Sequence, residues 1–158
     1  MNNDDWRHET QPLIYEGGIH MPYSWTIGKT GSSFFMELRD HQRIMGNQCP
    51  ECHVIWVPPR LRCPECYVEI SQDSWKEIGP NGTLRHFTIV HYSHPAHPLT
   101  PPFAYGIIDL DGASRGFTHL ISGVDLKALR SGLRLKPIWR SERQGSILDI
   151  DYFTPIGG

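Results

Sequence analysis

A mainly β protein is predicted by this sequence, and three observations carry the prediction. The only four cysteines stand in two identical turns, Cys49-Pro50-Glu51-Cys52 and Cys63-Pro64-Glu65-Cys66. Ahead of them Phe34, Leu38, His41 and Met45 recur at a helical interval. From Trp75 onward, short apolar runs alternate with Gly, Pro, Asn and Asp punctuation. The expected architecture is therefore an N-terminal helix, a four-cysteine zinc ribbon and a five-stranded OB barrel. The expected limits are an aromatic extension over 1–31, helix and ribbon over 32–74, and the barrel domain over 75–158.

The cysteines set the strongest expectation. Zinc takes four soft ligands in a tetrahedron, and each Cys-x2-Cys turn supplies two thiolates from one reverse turn. Disulfide pairing needs an oxidising compartment, and a redox motif of the thioredoxin kind needs one Cys-x-x-Cys rather than a spaced duplicate. Cys49, Cys52, Cys63 and Cys66 are the predicted ligands of a structural Zn2+. Four protein ligands close such a site and leave no position for a catalytic water.

The remaining elements follow in order. The first 30 residues hold Trp6, Tyr15, Tyr23 and Trp25 among Gly, Pro and polar residues, with no clear period. They wrap over either the protein's own surface or a partner. The helix is expected over 32–45, with Ser32 or Ser33 capping its start and Gly46 stopping it. Inside the ribbon, His53-Val54-Ile55-Trp56-Val57 reads as a short strand halted by Pro58-Pro59. Barrel strands are expected over 83–92 after the Asn81-Gly82 turn, over 103–110 before Asp111-Gly112, and over 117–121. A short helical stretch at 125–130 separates these from strands over 133–140, where Pro137 demands an edge or a bulge, and over 147–153. Five strands with a helix between the third and fourth is the element order of an OB barrel.

Composition narrows the function. With a formal net charge of -2, the chain lacks the basic excess usual in nucleic-acid binders. No apolar run approaches the length of a membrane span, and the start Met1-Asn2-Asn3-Asp4-Asp5 has no signal-peptide character, so a cytoplasmic protein without membrane contact is expected. No serine lies in a Gly-x-Ser-x-Gly elbow, and the cysteines are committed to metal. No nucleophile is left, so no catalytic residue is assigned. His91, His94 and His97 are three apart, but Pro95 and Pro98 exclude a helix that would align them. They read as part of a Pro-rich contact loop. His41, His86 and His119 read as packing or hydrogen-bonding residues.

Several of these motifs together resemble a family. The helix beginning Phe34-Phe35, the ribbon with Pro58-Pro59-Arg60 before Cys63, Trp75, and the turn Gly79-Pro80-Asn81-Gly82-Thr83 come first. Phe87-Thr88-Ile89-Val90-His91, Pro102-Phe103-Ala104-Tyr105-Gly106, Gly123-Val124-Asp125 and Phe153-Thr154-Pro155 follow. In order and spacing this set is similar to the DUF35 family, in which a rubredoxin-like zinc ribbon precedes an acyl-CoA-associated OB fold. The resemblance covers residues 32–156. It departs from the family at His53 and Tyr67, where many members carry glycine after the second cysteine of a knuckle.

The resemblance implies a non-catalytic accessory subunit of a thiolase-superfamily enzyme. Its partner would be a thiolase-like catalytic subunit in a hetero-oligomer, its substrate an acyl-CoA, with an aromatic one such as benzoylsuccinyl-CoA as the narrower expectation. A coenzyme A thioester would then be a ligand of the complex. Arg60 and Arg62 beside the second knuckle, and Arg134, Lys136 and Arg140 in the basic stretch 127–143, are candidates for contact with CoA phosphates or the partner. The same basic stretch also fits a solvated face. Two other classes remain beside this reading: a stand-alone acyl-CoA binding module, and a single-stranded nucleic-acid-binding OB protein.

Overall fold

The computed structural model describes residues 11, 13, 14, 17 and 23–157. The expectations placed on Trp6 and Tyr15 lie outside these residues. Helix α1 spans Gly28–Met36 and runs directly into a wider π-type turn over Glu37–His41. It starts earlier and stops sooner than the sequence period suggested. The hydroxyl of Thr26 accepts the Gly28 N–H at 3.1 Å, while Ser32 and Ser33 lie inside the helix. At the other end Gln42 adopts a left-handed conformation, and the Glu37 carbonyl accepts from both Gln42 and Arg43. The Glu37 carboxylate holds Arg43 at 2.7 Å and faces His41 at 3.1 Å. His41 is thus exposed on this turn, and Met45 belongs to the next strand.

Strand β1 (Ile44–Gln48) is the centre of a three-stranded antiparallel sheet, flanked by β2 (Ile55–Trp56) and β3 (Trp75–Ile78). Gly46, expected as a helix stop, is a strand residue opposite Lys76. A Cβ there would come within 2.8 Å of the Ile78 side chain and 2.9 Å of the Trp56 carbonyl oxygen, so close approach explains the glycine. The strand starting at Trp75 joins this ribbon sheet and not the barrel.

Strands β4 (Gly82–Val90), β5 (Phe103–Leu110), β6 (Phe117–Ile121), β7 (Arg134–Trp139) and β8 (Ile150–Pro155) close a barrel in the order β4-β5-β6-β8-β7. All pairs are antiparallel except β6 with β8, which meet in parallel at Ile121 and Phe153. One turn of 3-10 helix over Leu126–Ala128, capped by the Asp125 side chain, fills the gap between β6 and β7. Pro137 sits without penalty in β7. The Leu133 carbonyl bonds Leu84 of β4, so odd-numbered backbone groups of β7 point toward β4, and Leu135 already faces its first residue, Gly82. Two residues further, Pro137 has no β4 neighbour that needs a donor. The expected bulge follows it, between Ile138 and Trp139.

Helix, ribbon and barrel share one apolar core. Phe34 and Leu38 from the helix and Ile44, Val57 and Ile78 from the ribbon cluster with Leu84, Ile108, Ile121, Leu135 and Phe153 of the barrel. Burying a side chain of this size is worth about 1.5–3 kcal/mol, so the ribbon is bound to the barrel by packing. Polar contacts add direction. Ile55 N–H donates to the Ser114 hydroxyl at 2.9 Å, and Ser114 N–H returns a bond to the Ile55 carbonyl at 3.0 Å. Arg115 lies 5.5 Å over the Trp56 ring and reaches Glu65 in the second knuckle.

Candidate metal centre and neighbouring surfaces

The two knuckles are built alike, bond for bond. Cys49 N–H donates to Val54 O at 3.0 Å, and His53 N–H returns to Cys49 O at 3.1 Å. Cys63 N–H donates to Val68 O, and Tyr67 N–H returns to Cys63 O, both at 2.9 Å. These turns require a left-handed residue after the second cysteine, and His53 and Tyr67 fill it at φ 58° and 60°. That is the position where glycine was expected, so the departure from the family pattern leaves the turn intact and replaces the easiest residue for it. The sequence did not single out what steadies these positions. Gln48 and Arg62, each directly before a first cysteine, donate to the carbonyls of His53 at 3.0 Å and Tyr67 at 3.4 Å. Their identical placement relative to the two motifs was the available signal.

All four sulfur atoms lie within 4.8 Å of one another. Cys52 Sγ and Cys63 Sγ are 3.7 Å apart, far beyond a disulfide bond of about 2.05 Å. A tetrahedron with zinc–sulfur bonds of about 2.3 Å places its sulfurs about 3.8 Å apart, which this pair matches. The cysteines are therefore positioned to bind a metal ion, and an all-thiolate set suits zinc. Cys49 and Cys63 are buried, whereas Cys52 and Cys66 are half-buried, so the centre lies just under the surface. Burial pushes the Cys63 thiol up, but the Cys66 and Glu65 backbone N–H groups and the adjoining thiols outweigh it and bring it down to about 7. The Cys66 thiol is pushed up to about 12 by its hydrogen bond to Cys52 and by burial.

Asn47, also unforeseen, governs the loop between the knuckles. It is fully buried, and its side-chain amide pairs with the Arg60 backbone in both directions. Arg60 and Arg62 consequently stand on the ribbon surface beside the metal centre. Besides its bond to the Tyr67 carbonyl, Arg62 makes a loose contact of 3.7 Å with exposed Glu69.

Arg134 and Lys136 lie on β7, and Arg140 directly follows it. Arg134 is bound to Asp111, which raises the arginine's affinity for its proton and lowers the Asp111 carboxyl below its ordinary range. Arg140 pairs with Asp151 at 3.0 Å. Lys136 borders a hollow of about 240 Å³ with Gly123, Val124, Ile138 and Thr154.

The loop over 91–102 carries an aromatic stack in place of a metal site. His97 packs 5.2 Å from Tyr92 and 5.3 Å from Phe103, and Phe103 lies edge-on to Tyr105. Among the described residues, only the cysteines form a cluster of three or more metal-ligating groups. His119 is buried between Phe117 and Phe153 and bonds the Ile147 carbonyl at 3.1 Å, whereas His86 is exposed at an open hollow with Tyr105 and Ile107. No described helix is long and apolar enough to cross a membrane.

Comparison with known proteins agrees with this architecture. Residues 75–140 match the family described as the ChsH2 C-terminal OB-fold domain. No curated protein sequence matches the chain. The solved structure titled Ltp2–ChsH2(DUF35) aldolase superposes with a TM-score of 0.58 at 18% identity, covering 83% of this chain and 98% of that one. The crystal structure of a DUF35-family protein of unknown function from Sulfolobus solfataricus gives a TM-score of 0.56 at 25% identity, covering 70% of this chain and 78% of that one. Residues 75–140 thus match the ChsH2 C-terminal OB-fold domain family, and the chain as a whole is similar in fold to these solved DUF35 structures.

Proposed function

We propose that the protein is a non-catalytic, zinc-binding accessory subunit of a thiolase-superfamily enzyme that acts on an acyl-CoA. The carrying observation is the gathering of all four cysteines into one closed cluster. A metal held there would leave no thiolate for acyl transfer, and its job would be to fold the ribbon. Structural zinc contributes apparent binding energies of about 10–16 kcal/mol in small fingers, ample for a short segment. The chemistry would then belong to another subunit. Support comes from the structurally similar Ltp2–ChsH2(DUF35) aldolase, whose name joins a DUF35 protein to a second protein. Arg60 and Lys136, which make no side-chain ion pair among the described residues, and Arg62, whose pair with exposed Glu69 is long at 3.7 Å, are the proposed contacts for CoA phosphates or for the partner. Arg134 and Arg140 would have to leave Asp111 and Asp151 to serve the same purpose. An aromatic acyl-CoA such as benzoylsuccinyl-CoA is the proposed substrate class.

The test is to purify the chain alone and together with a thiolase-like subunit encoded beside it, then assay thiolytic acyl-CoA cleavage and metal content. One zinc per chain, no turnover alone and turnover in the complex are expected. Robust turnover by the isolated chain would overturn the reading.

A further inference from the structure

The segment ahead of α1 exposes large apolar side chains that the fold does not use. Leu13, Ile14, Tyr23, Trp25 and Ile27 are all exposed, with Tyr23 at 61% and Trp25 at 71%. Isolated exposed apolar residues are ordinary, but five within fifteen positions of one segment mark an interaction element. The Tyr23 and Trp25 rings already lie 5.2 Å apart, so they present one joint aromatic face. Tyrosine and tryptophan are the side chains that most often anchor protein interfaces.

This segment leaves the fold from a fixed point. Thr26 accepts the Gly28 N–H, Gly28 turns the chain at φ +74°, and Phe34 and Leu38 pin the following helix in the core. Next to that point lies a groove of about 500 Å³ whose wall includes Lys29, Glu69, Ser71 and Gln72 besides Leu61 and Trp75. Ile70 also lines it, but Tyr23 and Trp25 do not, so the rings stay exposed beside the chain's own groove. Leu61 and Tyr67 are themselves exposed on the ribbon. The first 27 residues also carry Asp4, Asp5, Glu9 and Glu16 against Arg7 alone, so the complementary surface is apolar with a basic rim.

We propose that this segment is the arm by which the chain grips its catalytic subunit, Tyr23 and Trp25 entering an apolar groove of that subunit flanked by basic side chains. The proposal rests on the accessory-subunit reading and names the surface that reading leaves open. Both aromatic side chains are exposed, so replacing them leaves the fold and metal centre unchanged.

The experiment measures binding of the full-length chain, by biolayer interferometry, to the thiolase-like subunit encoded beside it. The wild type is compared with the double variant Tyr23→Ser/Trp25→Ser and with Tyr92→Ser, an exposed aromatic on the barrel side. Loss of at least about thirtyfold in affinity for the double variant, with Tyr92→Ser unchanged and zinc content and Tm of both preserved, is expected for anchors of this kind. Full-length binding that the double variant retains within threefold would overturn the arm while leaving the accessory-subunit reading standing. Arm-dependent dimerisation of the chain by itself would also overturn it, in favour of a second copy. If the wild type does not bind that subunit at all, the accessory reading fails and the arm proposal with it.

Discussion

Asn47 holds the backbone of Arg60 from both sides, its amide nitrogen donating to the carbonyl at 2.7 Å and its oxygen accepting the N–H at 3.0 Å. One buried side chain thus substitutes for a missing strand across the loop that joins the knuckles. Asn47→Ala strips both bonds at once, and a buried unpaired polar group costs about 1–3 kcal/mol. The expected result is a lower urea midpoint with the zinc stoichiometry kept at high metal concentration. An unchanged midpoint would show that water takes over both bonds.

Gly46→Ala tests close approach within the ribbon sheet. The added methyl meets the Trp56 carbonyl, which is backbone and cannot rotate away, besides Ile78. Overpacking of this sort costs about 1–3 kcal/mol. Thermal unfolding of the zinc-loaded protein should report a Tm drop of several degrees, since the strand also belongs to the shared core.

Zinc loading should depend steeply on pH. Metal displaces protons from thiols, and the Cys66 thiol, pushed up to about 12, is still protonated at neutral pH, while Cys63 at about 7 is part-ionised. Lowering the pH therefore adds protons that compete with the metal, and affinity falls. Isothermal titration in buffers of different ionisation enthalpy should reveal proton release on zinc binding at pH 7.5, with apparent affinity dropping on going to pH 6. Buffer-independent heats would contradict this.

His119 supplies a second pH dependence, in the barrel. Burial pushes its pKa below the ordinary value, against the opposing pull of its bond to Ile147. In the unfolded chain it titrates near about 6.5, so below that pH the unfolded state binds a proton that the native state refuses. Stability therefore falls as the pH drops below that value, and levels off once the lowered native pKa is reached. The slope is at most about 1.4 kcal/mol per pH unit. Toward acid, the urea midpoint of the zinc-loaded wild type should fall relative to that of His119→Phe, because the variant lacks this loss.

The barrel was legible where local signals agree with the fold. Strands β5 and β6 fall at the residues expected, because their apolar runs are bounded by the Pro101-Pro102, Asp111-Gly112 and Gly123 punctuation. The cysteine cluster was legible because spacing alone places two thiols in each turn. The helix end was not. Phe34, Leu38 and Met45 are apolar in both a helix and a helix-turn-strand, and only the Glu37 interactions with Gln42 and Arg43 separate the two. Pairing of Trp75–Ile78 with β1 is a contact across thirty residues that no periodicity records. Likewise, nothing local to Arg134 or Arg140 tells that Asp111 and Asp151 will meet them, so the basic stretch looked freer than it is.

The twin knuckles carry a consequence for chain entropy. Each is a self-contained turn, closed by its own pair of backbone bonds, and a shared ion would join them into a ring running from the first cysteine to the fourth. Such a ring restricts the unfolded chain as a crosslink does, but one that opens and closes with the availability of an ion. Because Val57 lies inside the ring and packs against the core shared with the barrel, closing it would shift the folding equilibrium of the whole molecule. Metal supply would thereby set how much of this protein is folded.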